Sequence, residues 1–150
     1  MMKYAFKMEN VGIAYGKNLP ISKKHSYEIA NYIRYKPVAV ARKILKDVID
    51  MKAPIPYRRY NRDLAHKRAM GSGRYPVKAS KYILQILENA INNAKQKGMD
   101  ENKLKILHIS VHKGTHMYRR GRNYFTTKTA HVQIAVGYDE SEQKSVKEQN

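Results

Sequence analysis

The chain has 150 residues, enough for one folded core, and its 30 Lys and Arg residues against 12 Asp and Glu residues give a formal net charge of +18. Charge of this size opposes compaction unless a polyanion neutralises it, so the expected partner is nucleic acid. The lack of cysteine excludes disulfides and thiolate metal sites, and no apolar run reaches the roughly 18 residues of a membrane span.

The chain begins with a weakly patterned segment and then a helix. Residues 1–20 show little periodicity and are predicted to be an extended N-terminal arm that orders on a partner. From Ser22 to about Tyr35 the apolar residues recur at helical spacing. Lys23 and Lys24 lie in the first turn, where the helix dipole favours anions, so this helix start indicates a bound phosphate.

A second helix, from Pro37 to about Met51, is followed by a basic loop from Tyr57 to Tyr75. The loop holds six Lys or Arg residues against the single acid Asp63, and tyrosines alternate with its arginines. Arginine suits phosphate, and tyrosine rings offer stacking surfaces for unpaired bases. A solvated basic loop is the alternative interpretation. Tyrosine interleaving, and the same chemistry further along the chain, favour binding.

A third helix is predicted over residues 76–97, and two strands over residues 104–111 and 130–136. Alternation would put Leu104, Ile106, His108 and Ser110 on one strand face. The predicted fold class is α+β, with three helices packed on a small antiparallel sheet and a long protruding β-hairpin at about 104–137. The domain is placed at residues 21–138, and the polar residues 139–150 are predicted to be a disordered tail.

The connection between the two strands, His112 to Lys128, is far longer than an ordinary hairpin loop. It contains seven Lys, Arg or His residues and no acid. Its Arg119, Arg120 and Arg122 cannot be buried in a small protein without partners. An anionic partner is the simplest reason for such a connection.

Catalytic and metal chemistry is not indicated. Four-residue steps between His108, His112 and His116 span about 13 Å along a strand, so these rings cannot converge on one metal ion. Glu28 and Glu88 are expected at exposed helix positions, and no nucleophile, dinucleotide or P-loop motif is present. We therefore predict no enzyme activity, no metal and no cofactor.

Four blocks, in order, resemble the universal large-subunit ribosomal protein family numbered twenty-two, called seventeen in eukaryotes. They are Ile21-Ser22-Lys23-Lys24 leading through Ala30-Asn31-Tyr32-Ile33-Arg34 to Lys36-Pro37; Pro56-Tyr57-Arg58-Arg59-Tyr60-Asn61; Gly73-Arg74-Tyr75-Pro76 with Ala90-x-x-Asn93-Ala94; and Gly121-Arg122 followed by Thr129-Ala130-His131-Val132. The Tyr57 to Tyr75 segment resembles the archaeal and eukaryotic form.

The resemblance implies a cytoplasmic protein of the large ribosomal subunit, without catalytic activity, that binds large-subunit rRNA and supports its assembly. It implies a hairpin directed toward the nascent-peptide exit tunnel, whose end consists of Met117, Tyr118, Arg119, Arg120, Gly121 and Arg122. This end is shorter than that of relatives, by about 8 Å if some five residues are missing across two arms. Expected partners are rRNA, neighbouring ribosomal proteins and the nascent peptide at the tunnel wall, with no homo-oligomer.

Taken together, composition, pattern and resemblance give one set of expected RNA contacts. These are Lys23, Lys24, Arg34, Lys36, Arg58, Arg59, Arg62, Lys67, Arg68, Arg74, Lys78, Lys113, Tyr118, Arg119, Arg120, Arg122 and Lys128. A free RNA-binding or RNA-chaperone module would use the same basic surfaces outside the ribosome. A nucleic-acid-processing enzyme with a dispersed His/Asp site is the third hypothesis.

Overall fold

The computed structural model describes residues 11–115, 117–118 and 126–138. It contains helices α1 (Lys23–Ile33), α2 (Val38–Ile49) and α3 (Val77–Gln96). All three helices predicted from periodicity are confirmed, with ends that agree to within a few residues. Among the described residues, every helix is too short or too polar to cross a membrane.

Within the described residues, eight strands complete the fold and confirm the α+β class. They are β1 (Gly12–Leu19), β2 (Ile55–Pro56), β3 (His66–Lys67), β4 (Gly71–Arg74), β5 (Lys105–Lys113), β6 (Met117–Tyr118), β7 (Thr126–Thr127) and β8 (Ala130–Gly137). Three antiparallel sheets result, with strand orders β1-β8-β5, β2-β4-β3 and β6-β7. The hairpin is thus built from β5 and β8 inside the central sheet and continues outward as β6 and β7.

The core lies between the helices and the central sheet. Alternate residues of β8, namely Val132, Ile134 and Val136, are fully buried, as their spacing predicts. They belong to one apolar cluster with Ile83 and Leu87 of α3. Full burial of each such side chain stabilises the fold by about 1.5–3 kcal/mol. The central sheet is therefore a fixed platform for the hairpin.

The prediction that residues before 21 form no regular element is wrong for Gly12–Leu19, which form β1 along the edge of β8. Two side chains, one on α3 and one just after it, form hydrogen bonds to the backbone of this strand and of the residue before it. Asn93 Nδ2 donates to the Ile13 carbonyl at 2.8 Å, and Lys97 Nζ donates to the Val11 carbonyl at 2.9 Å. Pairing with β8 and these bonds give an order that local periodicity does not reveal. The first ten residues of the predicted arm lie outside the described residues.

Strict alternation along β5 is also wrong. Ile106 pairs with Val136 and His108 with Ala135, so Leu107 is an extra residue in a β-bulge. The bulge changes which face each later residue occupies: Ile109, not His108, follows Ile106 into the core. Burial of apolar side chains on both sides of the bulge explains why the register shifts there.

The basic segment 57–75 is predicted to be a loop, but it contains β3 and β4, which form a small sheet with β2 immediately before it. Tyr57 at its start is 3% exposed, which removes it from the rings available for stacking. Its backbone N–H donates to the Ser72 carbonyl at 2.9 Å. The segment is therefore folded, and its exposed arginines are attached to an ordered backbone. The division into arm, domain and tail stays a prediction, and residues 139–150 lie outside the described part.

Candidate nucleic-acid interface

A groove of about 420 Å³ opens at the N-terminal end of α1, and we call it the first groove. Its lining consists of Ser22, Lys23, Lys24, His25, Asn61, Lys113, Lys128 and Thr129. These residues come from α1, the 57–75 segment and both arms of the hairpin. Four predicted RNA contacts, two from the helix start and two from the hairpin, are thus brought together.

The two hairpin arms that line the first groove are held together by backbone pairing. Lys113 lies opposite Ala130 in the ladder, and the Gly114 N–H donates to the Thr129 carbonyl at 3.0 Å. A Cβ on Gly114 would collide with the Thr129 hydroxyl. The two arms can therefore approach this closely only because residue 114 has no side chain. This close approach keeps Lys113 and Lys128 on neighbouring arms beside the first groove.

His25 lies in the first groove, close to several cations. Burial, followed by the charges of Arg74 and Lys128, lowers the pKa of its imidazole. The ring shares a hydrogen bond through Nδ1 with the Tyr57 hydroxyl, and burial raises the pKa of Tyr57 to about 12. Both shifts favour the neutral forms, which fits a Tyr57 hydroxyl that donates to His25. The contribution of Arg74 and Lys128 to the lowered pKa shows that both cations lie close enough to act on His25.

A second groove, also of about 420 Å³, follows the other half of α1. It is lined by Glu28, Asn31, Tyr32, Arg34, Lys36, Pro56 and Arg58. The Arg34 guanidinium donates to the Ile109 carbonyl at 3.1 Å, and Lys36 Nζ lies 5.3 Å from the centre of the Tyr32 ring. Three more of the predicted cations are therefore gathered along the same helix.

Glu28 lines the second groove, and the expectation that it is an exposed helix residue is wrong. Only 1% of the surface of Glu28 is exposed. Its carboxylate accepts the backbone N–H groups of Arg58 at 3.1 Å, Arg59 at 3.1 Å and Tyr60 at 2.7 Å. A buried carboxylate needs such partners. The arginine-rich turn is therefore fastened to the middle of α1 through its backbone, and its side chains are left free for other contacts.

The other predicted contacts are more scattered. Arg62 Nε donates to the Arg58 carbonyl at 2.6 Å, and Lys67 Nζ lies 5.7 Å from the Tyr75 ring centre. Arg68, Arg74 and Lys78 are exposed. On the hairpin Tyr118 is 76% exposed. Met117 contributes backbone to β6, whereas Arg119, Arg120, Gly121 and Arg122 lie outside the described residues.

Charge pairing separates this surface from the rest of the molecule. Within residues 11–115, 117–118 and 126–138, salt bridges join Arg42 to Glu88 and Glu101, Lys95 to Glu101, and Lys52 to Asp50. None of these pairs includes a predicted RNA contact. The acids that neutralise cations thus lie elsewhere, and the cations around α1 keep their charge for an external anion.

Histidines do not form a metal centre in the described part of the chain, where no three His, Asp or Glu side chains are placed to hold an ion. The bulge at Leu107 puts His108 on the sheet face away from the core, and His116 lies outside the described residues. Burial, with nearby Arg34 and His112, lowers the pKa of His108.

Two residues important at this surface were not predicted. Tyr27 contacts Arg59, and Glu28 fastens the arginine turn. One signal was available, because Glu28 is the single acid between residues 10 and 46 of a strongly basic chain. A lone carboxylate in that context indicates a specific partner, but its partners lie about 30 residues away and cannot be identified by local pattern.

Comparison with known proteins agrees with this architecture. The family described as "Ribosomal protein L22p/L17e" matches residues 14–136. The large ribosomal subunit protein uL22 of Nanoarchaeum equitans is 40% identical, with 98% of this chain and 92% of the relative covered. Proteins of the same name from Staphylothermus marinus, 40% identical over 89% of this chain and 94% of the relative, and from Methanoregula boonei, 45% identical over 74% and 76%, are also similar.

Proposed function

The chain belongs to the L22p/L17e family of ribosomal proteins, and we propose from this premise that the surface around α1 and the hairpin bind large-subunit rRNA. The chain is a structural constituent of the large ribosomal subunit and acts in the cytoplasm, in translation. The prediction of no enzymatic activity is confirmed by the structural, non-enzymatic character of the family.

One observation carries the rRNA proposal: seven cations converge on two grooves along one helix, and none of them forms a salt bridge among the described residues. They are Lys23, Lys24, Lys113 and Lys128 in the first groove and Arg34, Lys36 and Arg58 in the second. Phosphates spaced along an RNA backbone would neutralise such a surface, with release of counterions. Recognition of this kind reads the shape of the RNA and fixes the orientation of the protein on it.

The second part of the proposal concerns the hairpin. We infer that it extends between rRNA segments toward the nascent-peptide exit tunnel, with Met117, Tyr118, Arg119, Arg120, Gly121 and Arg122 at its end. Support comes from β6 and β7, whose pairing of Met117 with Thr127 carries the hairpin beyond the central sheet, and from the exposed Tyr118 ring. In this arrangement Arg119, Arg120 and Arg122 contact RNA phosphates.

Cosedimentation tests whether the chain works inside the ribosome or as a free RNA-binding or chaperone module. Lysate of the source cells would be separated on a sucrose gradient after a high-salt wash, and the chain followed by antibody. The proposal predicts that it stays in the large-subunit fraction in about the same amount as other subunit proteins. A chain found mainly in the free pool after that wash, while other large-subunit proteins remain bound, would support the chaperone alternative.

A further inference from the structure

Three side chains beside Glu28 form a compact aromatic and cationic cluster, which we call the Tyr27–Arg59–Tyr60 platform. The Arg59 guanidinium carbon lies 4.9 Å from the centre of the Tyr27 ring and 5.5 Å from that of Tyr60. The two rings meet edge to face, with centres 5.3 Å apart and planes at 84°. Arg59 Nη1 also donates to the Tyr27 hydroxyl at 2.7 Å. The guanidinium is therefore held in a corner between two perpendicular rings.

The platform is fixed at its backbone as well as at its tips. Glu28 accepts the N–H groups of Arg59 and Tyr60, and it directly follows Tyr27 on α1. The helix and the turn are thus joined next to the platform. The helix contributes the Tyr27 ring, and the turn contributes Arg59 and the Tyr60 ring. A preorganised arginine loses less side-chain freedom when a ligand binds than a freely rotating one.

The guanidinium is nevertheless open to a ligand. Arg59 is an exposed residue, whereas Tyr27 and Tyr60 are half-buried. The hydrogen bond to Tyr27 raises the pKa of Arg59. The same bond, followed by one from Asn31, lowers the pKa of Tyr27. No carboxylate in the described part of the chain forms a salt bridge with Arg59. The nearby carboxylate of Glu28 accepts three backbone N–H groups and acts on Arg59 through its charge, without a salt bridge to the guanidinium.

We propose that the Tyr27–Arg59–Tyr60 platform binds one unpaired nucleobase of RNA, stacked on the Arg59 guanidinium and the exposed part of the Tyr60 ring. The inference rests on the proposed function and adds to it a base-binding site. Guanidinium planes and aromatic rings are the surfaces on which proteins stack single-stranded bases. A paired base inside a duplex has both faces covered by its neighbours, so the platform selects for bulged, looped or terminal nucleotides.

Arg58 supplies the phosphate contact that such a base needs. It is exposed, follows Tyr57 in the same turn, and lines the second groove with Arg34 and Lys36. An RNA strand whose backbone follows that groove would pass the platform, where one base can turn out of the strand. Phosphate contact and base stacking then act side by side, the first dependent on salt and the second largely independent of it.

The test uses the full-length chain and a short single-stranded RNA with a fluorescent 2-aminopurine at its centre. A second RNA of equal length has abasic nucleotides throughout, so that it carries the same phosphates and no bases. The chain should bind the base-bearing RNA more tightly than the abasic one by about 5- to 150-fold, the range for stacking of one base. Fluorescence should be quenched on binding, because 2-aminopurine loses emission when it stacks.

Substitutions identify the platform as the cause. Arg59→Lys keeps the charge and removes the flat guanidinium, so it should lose the preference for base-bearing RNA while leaving the salt dependence unchanged. Tyr60→Phe keeps the ring and should preserve the preference, whereas Tyr60→Ala should reduce it. Lys43→Arg, a charge-conserving exchange at an exposed position of α2 outside both grooves, is the control and should behave as wild type.

The outcomes separate this inference from the function on which it rests. If wild type binds large-subunit rRNA with steep salt dependence but Arg59→Lys keeps the full preference for base-bearing RNA, the platform is wrong and the rRNA function stands. Equal affinity of wild type for abasic and base-bearing RNA would also overturn the platform. Failure of wild type to bind rRNA at all would overturn both.

Discussion

Glu28 is the residue on which the geometry of the interface depends most. Its carboxylate satisfies three backbone N–H groups that would otherwise be unpaired where α1 meets the arginine turn. A carboxylate is suited to this position because it has only acceptors. A single acid thus organises the backbone of a basic surface, without a salt bridge to the arginine side chains that we propose to bind RNA.

Replacement of Glu28 by Gln tests this role. The amide keeps the size but must direct its NH2 group at one or more of the three donors, and a buried unsatisfied donor costs about 1–3 kcal/mol. We expect urea unfolding of Glu28→Gln, followed by circular dichroism, to show a loss of that order. Glu88→Gln, at a partly exposed ion pair with Arg42, should change stability by no more than about 1 kcal/mol. Equal stability of the two variants would contradict the anchoring role.

His25 makes the free energy of unfolding depend on pH. Because burial and the charges of Arg74 and Lys128 lower its pKa in the folded chain, the unfolded chain binds more protons as pH falls. The stability contributed by neutral His25 is complete above its ordinary pKa of about 6.5 and is lost below it. The unfolding free energy should therefore decline as pH is lowered from about 7, and His108, whose pKa is lowered too, acts in the same direction.

Unfolding midpoints measured across that pH range provide the check. His25→Asn should show a shallower decline than wild type, since one of the two shifted groups has been removed. His66→Asn, at an exposed histidine of β3, should retain the wild-type decline. Identical pH profiles for His25→Asn and wild type would mean that burial of His25 is not coupled to folding.

At the scale of elements, β1 is part of the folded body because its backbone packs directly on α3. A Cβ on Gly12 would lie 2.6 Å from the Ala94 Cβ and would also collide with the Ala90 carbonyl of the helix. No rotamer change can relieve a collision with helix backbone. Strand and helix can therefore approach this closely only while residue 12 lacks a side chain.

The substitution Gly12→Ala should consequently separate β1 from α3 and destabilise the isolated chain by about 1–3 kcal/mol, the usual cost of overpacking. Lys17→Ala, at an exposed position on the same strand, should stay within about 0.5 kcal/mol of wild type. Urea unfolding of both variants gives the comparison. A neutral Gly12→Ala would restore the idea that this segment is an arm that orders only on a partner.

Elements also show what local pattern can and cannot predict. The three helices were predictable because each buries a stripe at helical spacing, as Ile83, Leu87 and Ile91 do on α3. The bulge at Leu107 and the strand before residue 20 were not, because both are set by pairing with β8, more than 25 residues away along the chain. Along the interface, cation identity was predictable, whereas the partners of Glu28 and Tyr27 required the tertiary fold.

At the scale of the whole molecule, the two grooves and the hairpin form one basic surface, in which the hairpin arginines are proposed to meet phosphate. If Arg119, Arg120 and Arg122 each release counterions, replacing all three by Ala should flatten the slope of log K against log salt by about two units, at about 0.7–0.9 per phosphate. Filter binding of large-subunit rRNA over a range of salt concentrations measures this slope.

A matched triple variant removes the same charge elsewhere. Lys43 and Lys46 of α2 and Lys103 near β5 are exposed and line neither groove. Their replacement by Ala should leave the slope close to that of wild type. Should both triple variants change it equally, binding would depend on net charge alone, and the hairpin would have no special contact with RNA.

The central claim is that α1, the arginine turn and the hairpin base together face rRNA. A density map of the large subunit from the source organism tests it most directly. The account predicts rRNA phosphates within hydrogen-bonding distance of Lys23, Lys24, Lys113 and Lys128 in the first groove, with a further strand along Arg34 and Arg58. A map in which both grooves face solvent or another protein, with rRNA against a different side of the chain, would contradict it.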